Sequence, residues 1–222
     1  MEGPQAKLVY LNGRGRGEVL RYVMSAAGIV FTETFLSTAK DLKDVRETKR
    51  LMFGQVPLVE IDGLAITQTE AIIRYIARKY NLYGTTENDR IRCDMILDAI
   101  KDTEIGNSGV SFIFRDEEQR QELRSNMVAK AKKYFPMFEG LLSSHSYFLG
   151  AQMSFVDVVF LHDLEWFVDI LGVDALEPYP IIAAFRQRMM TVPNIAAYLA
   201  SPQKKPFPDS AYVSVVRHVF YS

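Results

Sequence analysis

Few side chains of this 222-residue chain stand in a pattern that performs chemistry. His145, His162 and His218 are scattered without metal-ligand spacing, and each reads as a surface or half-buried residue. The one cysteine, Cys93, excludes an internal disulfide and a Cys-based metal site, and reads as filler on a helix. Gly13-Arg14-Gly15-Arg16-Gly17 invites a dinucleotide reading, but that motif needs glycine where Glu18 or Leu20 stands. A phosphate-binding loop, a Ser-His-Asp set and a Cys-His set are all absent. Two features remain. Tyr10 sits late in an apolar run, shortly before Arg16. A phenol there can donate a hydrogen bond to a small anion, and the guanidinium adds a fixed positive charge; a tyrosine at a core edge and a solvated arginine account for the same residues. The second feature is the stretch 55–70, beginning Gln55-Val56-Pro57 and ending Gln68-Thr69-Glu70. A strand start beside a helix N-terminus offers backbone pairing and free N–H groups to a small peptide-like anion. An ordinary hairpin packed on a helix accounts for it too.

The elements that must position these residues follow from local patterns. Residues 7–12 read as a strand, with Leu8 and Tyr10 on one face and Val9 and Leu11 on the other. A helix is predicted from Arg16, with Val19, Leu20, Val23, Met24 and Ala27 at helical spacing and Gly28 as its stop. Residues 31–36 read as a second strand, and Thr38 opens a charged, exposed helix. Pro57 belongs at a strand start because it cannot donate to a ladder, and sequence alone favours a trans Val56-Pro57 bond. Residues 58–61 and 64–67 form a hairpin about Asp62-Gly63, and Thr69 is the predicted N-cap of the helix carrying Ala71, Ile72, Tyr75 and Ile76. The order is β-α-β-α-β-β-α, a βαβ unit with a parallel pair and an antiparallel edge.

From about Thr86 strand signals vanish, and helical patterns run through 90–105, 117–142, 155–171, 181–190 and 212–220. Ser154 and Asp157 stand at N-cap and N3 spacing, with Met153 placed to staple onto Val158. Ile105-Gly106-Asn107-Ser108-Gly109-Val110 reads as a break in a helix. Asp209-Ser210 can cap a last helix whose apolar stripe is Tyr212, Val215, Val216, Val219 and Phe220.

Hydrophobic residues make up 48% and charged residues 24% of the chain, an ordinary globular balance. The net charge of −1 gives no reason to expect nucleic acid or an acidic membrane as partner. Met1-Glu2-Gly3-Pro4-Gln5 lacks the features of a signal peptide, and residues 155–173 carry too many charges for a membrane span, so a soluble cytosolic protein is expected.

Gln55-Val56-Pro57, Val59-Glu60-Ile61-Asp62-Gly63, Gln68-Thr69, Ala71-Ile72 and Lys79-Tyr80-Asn81-Leu82-Tyr83-Gly84 together resemble the glutathione-binding core of the cytosolic glutathione transferases, the alpha class most of all. The resemblance covers the whole chain, closely to about residue 100 and more loosely beyond. It implies an α/β plus all-α fold: a thioredoxin-like domain over 1–84 and an all-helical domain over 85–222, with an acceptor pocket and a C-terminal lid helix. The implied function is conjugation of glutathione, a co-substrate, to apolar electrophiles in detoxification, without a metal, by a cytoplasmic homodimer. A peroxidase or isomerase reaction of the same thiolate stays open, as does a non-catalytic binder of apolar ligands or a structural relative on this fold.

In that resemblance Tyr10 falls on the catalytic tyrosine, and Arg16 supports the same sulfur. Arg46 and Gln55 serve the glycyl end, Val56 pairs through its backbone as Pro57 presents it, and Gln68 and Thr69 hold the γ-glutamyl carboxylate. Asp102 matches an acidic residue lent across a dimer interface, and Lys133 stands where the alpha class usually has arginine. Leu11, Gly15, Phe112, Phe207, Val216, Val219 and Phe220 are the implied acceptor pocket. Phe53 is the implied key of the dimer, inserting near Met95 and Phe138. The chain ends in Ser222 where relatives often have an aromatic residue, so a looser lid is expected.

Overall fold

A computed structural model of the chain describes residues 5–221. Residues 1–4, part of the segment inspected above for a leader, and Ser222 lie outside the described residues. The first half runs β1 (Ala6–Tyr10), α1 (Gly15–Ala26), β2 (Phe31–Phe35), α2 (Ala39–Glu47), β3 (Leu58–Ile61), β4 (Leu64–Thr67) and α3 (Thr69–Lys79). The strands form one sheet in the order β2-β1-β3-β4. β1 and β2 are parallel, with Tyr10 opposite Phe35, and the β1–β3 and β3–β4 pairs are antiparallel. This is the thioredoxin-like arrangement expected from the sequence. Asp62 and Gly63 both take positive φ, 54° and 74°, which the two-residue hairpin requires. Leu8, Val9, Tyr10 and Leu11 are all buried, because β1 is interior to a sheet covered on both faces.

The second half is helical: α4 (Glu87–Asp102), α5 (Ile105–Phe112), α6 (Glu117–Leu142), α7 (Phe155–Leu171), a 3-10 turn (Val173–Leu176), α8 (Pro180–Met190), α9 (Pro193–Leu199) and α10 (Ser210–Phe220). Its core is an aromatic cluster of Phe135, Phe138, Phe148, Phe160 and Phe185, whose rings meet edge-to-face or tilted. Cys93 is buried within α4. α1 packs on both α3 and α7, so the helix that follows Tyr10 is also the joint between the halves. Among the described residues no helix is long and apolar enough to cross a membrane.

Several local expectations need correction. Thr69 is the first residue of α3 and Gln68 is its N-cap, at φ 70° with no side-chain cap bond. The Val56-Pro57 bond is cis. The break expected within 105–110 lies just before it, where Glu104 takes a left-handed conformation, and the glycine-rich stretch itself is helical. Packing overrides propensity here. A Cβ on Gly106 would fall 2.6 Å from Asp163 Oδ1, and one on Gly109 would fall 2.4 Å from the Trp166 ring. The two glycines, one turn apart on α5, let a carboxylate and an indole one turn apart on α7 approach the α5 backbone.

Candidate active site

Tyr10 ends β1 and is buried, yet its side chain reaches a cavity wall. The loop after it is shaped around the ring. Gly15 has φ 42°, and a Cβ there would lie 2.5 Å from the Tyr10 hydroxyl oxygen. The amide of Arg16, in the first turn of α1, donates to that oxygen at 3.0 Å. From below, the buried Arg21 guanidinium donates to the carbonyls of Gly13 (2.8 Å) and Leu11 (3.2 Å), and is itself neutralised by Glu18 and Glu33. The loop is thus fixed by one arginine from a neighbouring turn. Burial pushes the Tyr10 phenol above its ordinary range, outweighing the Arg16 amide and the Arg16 and Arg21 charges that pull it down. The group therefore keeps its proton at neutral pH, and that proton meets no acceptor among the described residues.

Two cavities meet at this loop. One, of about 430 Å³, is lined by Tyr10, Gly15, Arg16, Arg46, Gln55 and Val56 on the sheet side, and by α10 across from them. The other, of about 740 Å³, contains Arg16, Gln68 and Thr69 and runs between the halves. Gly15, Arg16 and Val110 belong to both. The Arg46 guanidinium is held at the mouth by the Gly54 carbonyl at 2.8 Å. Pro57 is buried behind Val56 as the partner in the cis bond. The first amides of α3, uncapped by Gln68, are the groups an anion at this end would meet.

The residues placed on an acceptor pocket divide. Gly15, Val216 and Phe220 line the smaller cavity. Leu11 does not, being fully buried in the core with only its carbonyl directed to Arg21. Phe112 and Phe207 line a separate groove of about 460 Å³ behind α10, and Val219 turns into the core. The one-sided stripe on α10 thus serves both a core and a cavity wall. Sequence reasoning missed Ile113, Phe114, Trp166, Pro208, Tyr212 and Tyr221 on that wall. Tyr212 was in plain view as a stripe position. Its ring seats where Gly13 has no side chain, a Cβ there being 2.1 Å from Cε2.

Asp102 and Lys133 stand on neither cavity. They meet at Tyr134, whose hydroxyl donates to Asp102 at 3.4 Å and accepts from Lys133 at 3.3 Å. Phe53 is 63% exposed, as are Met95 at 67% and Met137 at 59%, whereas Phe138 is buried in the aromatic core and cannot receive it. His162 also departs from expectation. It is buried, between the Trp166 indole and the Asp163 carboxylate.

Comparison with known proteins gives this geometry a family. Residues 6–78 match the glutathione S-transferase N-terminal domain, and residues 103–202 match the glutathione S-transferase C-terminal domain. The chain is 40% identical to glutathione S-transferase A4 of Mus musculus and 39% identical to glutathione S-transferase alpha-4 of Rattus norvegicus, each over 96% of both chains. A crystal structure of the glutathione S-transferase from Ascaris lumbricoides superposes with a TM-score of 0.78 at 27% identity, covering 93% of this chain and 99% of that one. Both halves match, and the identity runs nearly end to end: this chain belongs to the glutathione S-transferase family.

Proposed function

We propose that this chain conjugates glutathione to small, mostly apolar electrophiles by addition or substitution, with Tyr10 as the hydrogen-bond donor to the sulfur. The observation that carries this reading is the Tyr10 hydroxyl, whose oxygen accepts the Arg16 amide and whose proton is left to a ligand in the cavity. A free thiol has a pKa near ~8.5, so little of it is thiolate at neutral pH. A donor that binds thiolate better than thiol, by roughly 1.5–3 kcal/mol, lowers that value by about one to two units. Tyr10, protonated and preorganised, acts as donor and not as base, and Arg16 adds its charge from the helix start.

The tripeptide then lies across both cavities. Its glycyl carboxylate meets Arg46 and Gln55, its cysteinyl backbone pairs with Val56 as the cis Pro57 presents it, and its γ-glutamyl carboxylate sits at Gln68, Thr69 and the α3 amides. The electrophile enters between Gly15 and the α10 side chains Val216 and Phe220. Asp102 reaches the γ-glutamyl amine of a partner subunit in a homodimer keyed by Phe53, with Lys133 beside it. We place the division between the domains at residues 84–85 and the protein in the cytoplasm. A thiolate made this way also suits peroxide reduction or double-bond isomerisation as side reactions.

The test is capture on immobilised glutathione, followed by conjugation to a chloro-nitroaromatic acceptor and ultraviolet titration of the bound thiol. Bound glutathione should ionise below its free value and chloride should be displaced. A thiol that titrates as in free solution, with no conjugate formed, would overturn the reading.

A further inference from the structure

The larger cavity extends beyond the part assigned to glutathione, and its inner end is unlike the apolar wall around α10. There the floor is Asp163 and His162 of α7, seen across Gly106 and Val110 of α5. The Trp166 indole donates to His162 Nε2 at 3.2 Å, so Nε2 is an acceptor and the ring proton is on Nδ1. That nitrogen donates to Asp163 Oδ1 at 2.9 Å. In this arrangement the ring is neutral and both its nitrogens are used. Asp163 is only 8% exposed, and its Oδ2 has no hydrogen-bond partner among the described residues. A carboxylate oxygen of a nearly buried side chain that opens onto a cavity, with no donor from its own chain, is placed to accept one from a ligand; of the cations on the same wall, Arg74 and Lys101 are paired with Glu70. The glycine at 106 keeps this space open, since a Cβ there would press on Oδ1.

We propose that Asp163 is a specificity residue of the acceptor site, selecting electrophiles that carry a protonated amine. This rests on the transferase reading above. The amine docks on Oδ2 at the cavity floor, and the reactive carbon is presented near Arg16, where the two cavities join. Arg16 does not repel such a substrate strongly, because its charge is met by the thiolate. His162 is the positioning residue: held by Trp166, it fixes the carboxylate rotamer so that one oxygen faces the cavity. The glutathione amine is the competing occupant, and the test separates the two.

The probes are two chloro-dinitrobenzamides that differ in one atom position. One carries an N-[2-(dimethylamino)ethyl] group, protonated at neutral pH, and the other an N-(3-methylbutyl) group, its uncharged isostere. The wild-type protein should show kcat/KM about tenfold or more higher for the cationic acceptor, the worth of one charge-assisted hydrogen bond. Asp163→Asn should abolish that preference while leaving KM for glutathione and turnover of the neutral acceptor unchanged. Gly106→Ala, which crowds the carboxylate but keeps it, should reduce the preference in part. Equal rates for the two acceptors in the wild type, a preference that survives Asp163→Asn, or a parallel rise in KM for glutathione would each overturn the inference. If the neutral acceptor is conjugated, the transferase reading stands whatever the preference. If neither acceptor is conjugated, that reading falls and this one with it.

Discussion

A phenol that must donate at neutral pH has to keep its proton in the presence of nearby cations. Tyr10 does so because burial outweighs the pull of Arg16 and Arg21. Tyr10→Phe keeps the ring in its glycine seat and removes only the hydroxyl, so glutathione affinity should change little. The bound thiol should titrate about one to two units higher, because the lost donor favoured the thiolate. Turnover at pH 7 should then fall roughly eight- to twenty-five-fold and recover as pH rises past the new thiol pKa, which a pH–rate profile reads directly. An unchanged profile would remove Tyr10 from the mechanism. At this scale the cavity lining was legible where a residue's neighbours lie close in sequence: Tyr10 with Arg16 and Gln55 with Val56 on one wall, and Gln68 with Thr69 on the other. It was illegible for Leu11, Phe112, Phe207 and Val219, because the side of a wall that a residue faces depends on how α10 and α5 pack across the chain. A helical stripe has the same period whether it faces a core or a cavity.

Among the elements, α6 and α7 were readable to the residue because each long helical run opens on its own capping box, at Asp116 and Ser154. α5 was not, since its glycines serve Asp163 and Trp166 and not helix propensity. α9, only Pro193–Leu199, is too short for its period to register. The α7 start shows what a buried cap involves. Asp157 accepts from the Ser154 amide and hydroxyl at 2.8 and 2.7 Å and from the Phe148 amide at 2.9 Å. Burial nonetheless pushes its carboxyl up to about 6. With the folded value above the unfolded one, its contribution is full below the ordinary carboxylate range and lost as pH rises through about 6. Asp157→Asn does not titrate, so the stability of wild type relative to this variant should fall by roughly 2 kcal/mol between pH 4 and 7. Denaturant titrations across that window would show it, and a pH-independent difference would contradict it. α10 is the opposite case. Its cap is a surface Asp209, and only Val219 of the helix is buried, so an isolated helix of this length depends on docking for its order. Deleting residues 210–222 should raise KM for apolar acceptors and speed product release, with glutathione affinity little changed. Hydrogen exchange in α10 should slow when an apolar conjugate binds; equal protection with and without it would contradict a mobile lid.

At the scale of the whole molecule, the chain leaves apolar side chains on two separate surfaces. Met52 and Phe53 project from the loop before β3, at 80% and 63% exposure. Ile91 and Met95 share a face of α4, and Met137 and Leu141 share a face of α6. Scattered single exposures need no explanation, but a projecting aromatic and two methionine-bearing helix faces are what the proposed homodimer would use as key and receiving surface. Two unlike patches on one chain can both be covered by a two-fold axis, each copy giving its Phe53 to the helices of the other. Asp102 and Lys133 belong to the same α4 and α6 and stand away from the cavities of their own chain, where a two-fold mate could use them. The buried position of Phe138 moves the expected receiving residues to Met95 and Met137. Phe53→Ser should therefore give monomers in sedimentation equilibrium at micromolar concentration, where the wild type sediments as a dimer. In the same variant KM for glutathione should rise several-fold, because the γ-glutamyl amine loses the Asp102 of a partner subunit, while the thiol pKa set by Tyr10 within one chain should hold. A wild type that sediments as a stable monomer, with glutathione bound as tightly as in the variant, would refute both halves of this expectation.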